Sequence, residues 1–152
     1  VLKETFDLIN QKVNQYNFLR LEPETEKGYQ VPVESGEKYS ISFMTNNFGG
    51  ARAYALSPKG AANLLSQSDR WCMPVDNYMG SIYIHAQPSY LFKPSIVPSI
   101  QEVPEKFQTT IQLGEEKKAS WYRKPTRELY SLYRKFKMKQ YNRRFMKPEL
   151  ES

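Results

Sequence analysis

The distribution of charge constrains this chain most. Residues 1–114 carry 10 Lys/Arg and 11 Asp/Glu, whereas residues 115–152 carry 12 and 5, so the excess of +6 belongs entirely to the tail. Between Lys117 and Lys147, twelve basic residues meet one acid, Glu128. This pattern predicts a near-neutral globular body over residues 1–114 and a basic appendage over 115–152. A body of that size suits one domain, and 14% aromatic residues argue against a disordered polar chain. No run approaches the ~18 apolar residues of a membrane-spanning helix. The single cysteine, Cys72, excludes an internal disulfide and a multi-cysteine zinc site, and makes a reducing compartment the default.

Apolar periodicity then places the elements. Leu2, Phe6, Ile9, Val13 and Tyr16 recur at spacings of four and three, which predicts a helix over about 2–15. Phe18 to Leu21 is a short strand candidate, Glu24 to Glu37 reads as loop with an extended piece at Tyr29 to Val33, and Tyr39, Ile41 and Phe43 alternate as in a half-buried strand. Asn46 to Gly50 suggests a turn, and Ala51 to Leu56 another strand. Ser57-Pro58 then starts a helix, with serine as a favoured cap and proline at the first helical position. Further strands are expected at Ser81 to Ala86 and Ser89 to Phe92, and three prolines between Pro94 and Pro104 imply an extended segment. The appendage restarts as helix near Pro125 or Thr126. Its Leu129, Leu132, Tyr133 and Phe136 form a stripe wide enough to bury, whereas Met138, Tyr141 and Phe145 drift onto another sector.

The densest chemical candidate is Pro74-Val75-Asp76-Asn77-Tyr78-Met79. Asp76 there could be a general base or a helix cap, since a carboxylate serves both roles. Ser57 has the same two readings, a cap or a site residue. Gly49 and Gly50 suit either a plain turn or a close backbone approach to a ligand. His85, the only histidine, is a metal-ligand candidate or a structural residue, and Cys72 reads as a small filler without a histidine neighbour.

Two blocks of the sequence resemble a known family. Gly50-Ala51-Arg52-Ala53-Tyr54-Ala55-Leu56-Ser57-Pro58-Lys59-Gly60-Ala61-Ala62-Asn63-Leu64-Leu65 resembles the G-x-x-x-Y-x-x-S-x-x-G-A-x-x-L-L segment of glycosyltransferase family 25. Pro74-Val75-Asp76 resembles that family's P-V-D element, and Tyr83 to Pro88 resembles the strand and proline that follow. The family includes bacterial lipooligosaccharide and lipopolysaccharide galactosyltransferases. The resemblance runs over about 45 residues, Gly49 to Lys93.

The resemblance implies an α/β chain: the C-terminal part of a GT-A-like mixed α/β domain, followed by a basic C-terminal helix. It implies transfer of galactose from UDP-galactose, with inversion, to a lipid-linked oligosaccharide. Asp76 would act as the base or as an acceptor-sugar partner, with Gly49, Gly50, Tyr54, Ser57 and Asn77 near the substrates. Family members hold a divalent cation, usually manganese, on an acidic Glu-Asp-Asp motif that has no counterpart here. The implied chain is therefore the C-terminal portion of a protein with about a hundred further residues upstream. Alone, it would lack the donor and metal half and be inactive.

The tail carries a second expectation. Seven aromatics from Trp121 to Phe145 are interleaved with basic residues, including Lys117, Lys118, Arg123, Lys124, Arg134, Lys135, Lys137, Arg143 and Arg144. That composition suits an anionic membrane surface, where each cation contributes about 1 kcal/mol. It also fits RNA, by phosphate contact and stacking, or a helix that packs its stripe and solvates its charges. The membrane reading places the protein in the cytoplasm, peripheral at the inner membrane, and leaves as the alternative function a non-enzymatic basic module.

Overall fold

A computed structural model of the chain describes residues 2–22, 30–46, 51–70, 73–98 and 124–150. Contacts divide it into two compact units, Val1–Pro98 and Ser99–Ser152. The charge boundary at residue 114 lies outside the described residues.

The first unit is mixed α/β. Helix α1 (Leu2–Tyr16) leads into β1 (Phe18–Arg20), then β2 (Gln30–Ser35), β3 (Ser40–Met44) and β4 (Tyr54–Leu56). Helix α2 (Pro58–Leu65), a 3-10 turn (Ser68–Arg70), α3 (Val75–Met79) and α4 (Ile82–His85) follow, and β5 (Tyr90–Lys93) closes the unit. The sheet order is β2-β3-β5-β1-β4. Strands β1 and β5 run parallel; the other pairs are antiparallel. Pro32 sits on edge strand β2, where a missing ladder donor is tolerated, and the register slips between it and Glu34.

The inner strands β1 and β5 are buried at consecutive positions, as strands covered on both faces must be. Alternation sends Leu19, Tyr90 and Phe92 to one face and Phe18, Arg20 and Leu91 to the other. On the first face α1 buries Ile9, Val13 and Tyr16, and the Tyr16 ring lies 4.7 Å from that of Tyr90. Phe6, expected on the same apolar stripe, is instead exposed.

A carboxylate clasps α1 to the hairpin. Glu34 on β2 accepts from Lys12 Nζ, from Tyr39 OH, and from Tyr16 OH at 2.7 Å. These donors, Lys12 foremost, pull the Glu34 carboxyl down to about 2. Lys12 also lies over the Tyr39 ring, which stacks on Phe92.

One element differs in kind from its sequence expectation. Ser81 to Ala86 contains helix α4, not a strand. Its Ile-Tyr-Ile run has strand propensity, but Ser81 Oγ donates back to the Asn77 carbonyl and Ser81 N to the Tyr78 carbonyl. Ala86 ends the turn in the left-handed region at φ 55. Local hydrogen bonds thus override a weak β preference.

In the second unit α5 spans Lys124–Leu150. Its covered sector is the opposite of the one the apolar stripe predicts. Leu129, Leu132, Tyr133 and Phe136 are all exposed, whereas Met138 is buried and Tyr141 and Phe145 are half-buried. No helix among the described residues is long and apolar enough to cross a membrane.

Candidate functional site at the end of strand β1

The residues quoted from the first sequence block owe much of their identity to packing. Ser57 is buried and caps α2: its Oγ accepts from Gly60 N at 3.0 Å and donates to Asn17 Oδ1 at 2.7 Å. Ser57 N donates to the Asn17 carbonyl, and Asn17 is in the left-handed conformation at φ 66, which asparagine tolerates well. Gly60 passes so close to this corner that a Cβ would lie 2.3 Å from the same carbonyl oxygen. Leu64 is buried, and its carbonyl accepts from Tyr78 OH at 2.6 Å. Ser57 is thus a capping residue, its hydroxyl taken up in both directions.

A different set converges where β1 ends. Arg20 and Glu22 are each only 2% exposed, and Arg20 Nη1 donates to Glu22 Oε1 at 3.0 Å. The guanidinium lies over the Phe18 ring at 5.4 Å. Burial pulls the Arg20 pKa below the usual guanidinium value, and Glu22 and then Asp76 push it back up. Asp76, from the second sequence block, therefore contributes to the electrostatics of a residue on the inner strand β1. From the first block, Arg52 reaches Glu22 Oε2 at 3.6 Å. Tyr54 is the β4 partner of Arg20 and meets the Phe18 ring edge-on at 5.9 Å.

The cluster has a sealed layer and an open one. Arg20 and Glu22 are closed off from solvent, and removing one partner of such a pair costs about 3–5 kcal/mol because the other is left uncompensated. Arg52 and Tyr54 are exposed and Asp76 is half-buried. The open layer thus offers a carboxylate acceptor, an aromatic ring with a hydroxyl, and a guanidinium donor. Polyhydroxylated solutes are held by such groups, since a carboxylate accepts from two hydroxyls at once and a ring covers the apolar face of a sugar.

Asp76 is not a cap. The residue before α3 is Pro74, with no side-chain cap, and Asp76 is second in the helix, where Oδ1 accepts the Asn77 amide at 2.8 Å. The chain enters helical geometry at Val75, so the carboxylate falls two positions past the cap, too late to close the first turn. Asn77 is half-buried beside it, and its carbonyl receives Ser81 Oγ. Gly49, Gly50 and Cys72 lie outside the described residues, as do Lys117, Lys118 and Arg123.

Sequence reasoning missed Arg20 and Glu22. Glu22 reads as a loop acid, yet it is buried at the strand end with two arginines; a lone Arg inside the apolar run Phe18 to Leu21 was the available signal. His85 is structural. Its Nδ1 accepts from Gln87 N at 3.1 Å and its Nε2 faces the Tyr78 carbonyl at 3.0 Å, so both ring nitrogens are engaged and Nε2 carries the proton. Burial lowers its pKa to about 4.

Among the described residues, no group of three or more His, Cys, Asp or Glu could hold a metal ion. Glu22 faces arginines and His85 is committed at both nitrogens, so these residues do not fit the family's cation. A mixed α/β unit with a charged, partly open cluster at the end of the inner strand β1 is what the fold and geometry define. No family model matches the sequence, and comparison with curated proteins and with solved structures gives no match.

Proposed function

We propose that the first unit is the acceptor-binding part of a glycosyltransferase similar to family 25, transferring galactose from UDP-galactose to a lipid-linked oligosaccharide. One observation supports this reading above the others: Arg52 and Tyr54 from one sequence block reach Glu22 and pair with Arg20, and the charge of Asp76 from the other block bears on that same Arg20. Asp76 accepts hydrogen bonds from the acceptor sugar and takes the proton of the attacking hydroxyl. Tyr54 packs on the sugar ring, and Arg52 orients hydroxyl or phosphate oxygens. Arg20 and Glu22 do not touch the sugar; they hold the site's charges in place. The donor sugar nucleotide and its cation would belong to an upstream half, so no step is assigned to them here.

The test is a titration of the chain with a galactose-containing disaccharide, followed by amide chemical shifts. Shifts at Asn77, Tyr78 and Tyr54 that vanish in Asp76→Asn are expected. In an enzyme carrying the upstream half, the same substitution should cut turnover at least a hundredfold while leaving the melting temperature nearly unchanged. Undiminished transfer by that variant would remove Asp76 from the chemistry.

The second unit has its own reading, an anionic membrane surface. It is favoured by five large exposed apolar residues on α5, Leu129, Tyr130, Leu132, Tyr133 and Phe136, on a helix rich in lysine and arginine. This would hold the protein at the cytoplasmic face of the inner membrane, where a lipid-linked acceptor lies.

A further inference from the structure

Interfacial helices usually divide apolar from charged residues around their circumference and lie flat. On one side of α5 they also succeed one another along the axis, with exposed Arg127, Glu128 and Lys135 flanking that side. Leu129, Leu132, Tyr133 and Phe136 occupy its N-terminal half. Lys139, Gln140, Arg143 and Arg144 stand three, four, seven and eight residues beyond Phe136, hence on the same side. All eight are exposed or nearly so, and the covered sector lies opposite, around Met138. At the junction a cavity of about 350 Å³ is lined, among the described residues, by Phe136, Lys139, Gln140, Arg143 and Arg144.

That lining consists of three cations, one amide and one ring, with no acid. Two arginines present planar forks suited to phosphate oxygens, and the lysine adds a point charge. Three cations match a phosphomonoester, which carries up to two charges, better than a phosphodiester with one. A ligand filling both halves of this side needs an apolar body and an anionic end. RNA fits less well: two of the four apolar residues are leucines, which have no π face for a base to stack on.

We propose that this side of α5 binds the phosphomonoester head group of an anionic lipid. The head group occupies the cavity between Lys139, Arg143 and Arg144, and Leu129, Leu132, Tyr133 and Phe136 enter the acyl region. The proposal rests on the membrane reading of the second unit and makes it specific. It also sets the helix at a tilt, the apolar half spanning roughly 10 Å of axis and lying deeper.

The experiment is co-sedimentation of the whole chain with phosphatidylcholine vesicles containing either phosphatidic acid, a monoester, or phosphatidylglycerol, a diester, at matched surface charge. Phosphatidic acid should retain the chain about tenfold more tightly. R143Q/R144Q should abolish that preference, and L132D/F136D should release the chain from both vesicles with helicity unchanged by circular dichroism. Equal retention by the two lipids, or an unaltered preference in R143Q/R144Q, overturns the head-group site while leaving the membrane reading intact. Retention by neither vesicle overturns both. Release by millimolar inorganic phosphate would show a free-anion site rather than a lipid site, and tighter capture by single-stranded RNA through the same arginines would replace the lipid with nucleic acid.

Discussion

His85 shows how a residue that invites a chemical role can be consumed by the fold. With Nδ1 accepting from Gln87 and Nε2 donating to Tyr78, the neutral ring is satisfied and the imidazolium would lose the Gln87 bond. Its folded pKa of about 4 lies below the unfolded value of about 6.5. As pH falls through that window the unfolded chain takes up a proton that the folded chain refuses, so stability present above pH 6.5 is lost progressively toward pH 4. The full loss is about 3 kcal/mol. Urea unfolding of the wild type between pH 7 and pH 4 should show that decline, and His85→Gln should lack it. An identical slope in the variant would mean that His85 is not the titrating group. The same scale marks the limit of sequence reading. Asp76 stands out in the sequence because Pro-Val-Asp is a compact block. Its neighbour Arg20 does not, because ion pairing across β1 depends on which residues the sheet brings together.

At the scale of elements, most helices and strands are legible because hydrophobic period and capping residues act locally. Ser57-Pro58 opens α2, and Tyr39 to Phe43 marks the strand where β3 forms, although Ser42 is buried along with Ile41 and Phe43 instead of facing solvent. The departures lie elsewhere: α4 is set by hydrogen bonds to Asn77 and Tyr78 just ahead of it, and α5 presents the opposite sector to solvent. Gly60 belongs between these classes. In a helix, alanine ordinarily gains about 1 kcal/mol over glycine. Here its Cβ would meet the Asn17 backbone oxygen at 2.3 Å, and that oxygen is held by Ser57 N. Backbone on both sides leaves no room to relax, so Gly60→Ala should destabilise the unit by about 1–3 kcal/mol. Thermal melts beside Lys59→Ala, an exposed neighbour, give the comparison. A higher melting point for Gly60→Ala would show that α2 does not sit on the α1–β1 corner as described.

For the whole molecule, the partition of charge becomes a partition of tasks. The first unit carries a nearly neutral site built from two arginines and two carboxylates, and the second carries the cationic surface. A nucleotide diphosphate with a divalent cation would find no group of three or more His, Cys, Asp or Glu among the described residues. That ligand requires acidic side chains free to bind metal, and Glu22 is already enclosed with Arg20 and Arg52. Calorimetric titration of the chain with UDP, with and without manganese, should therefore give no manganese-dependent heat, while the disaccharide response at Asp76 persists. A manganese-dependent binding isotherm would place the donor site on this chain. The glycosyltransferase reading would then need a metal site built from residues other than those of the Arg20–Glu22 cluster, and its division into acceptor and donor halves would fall.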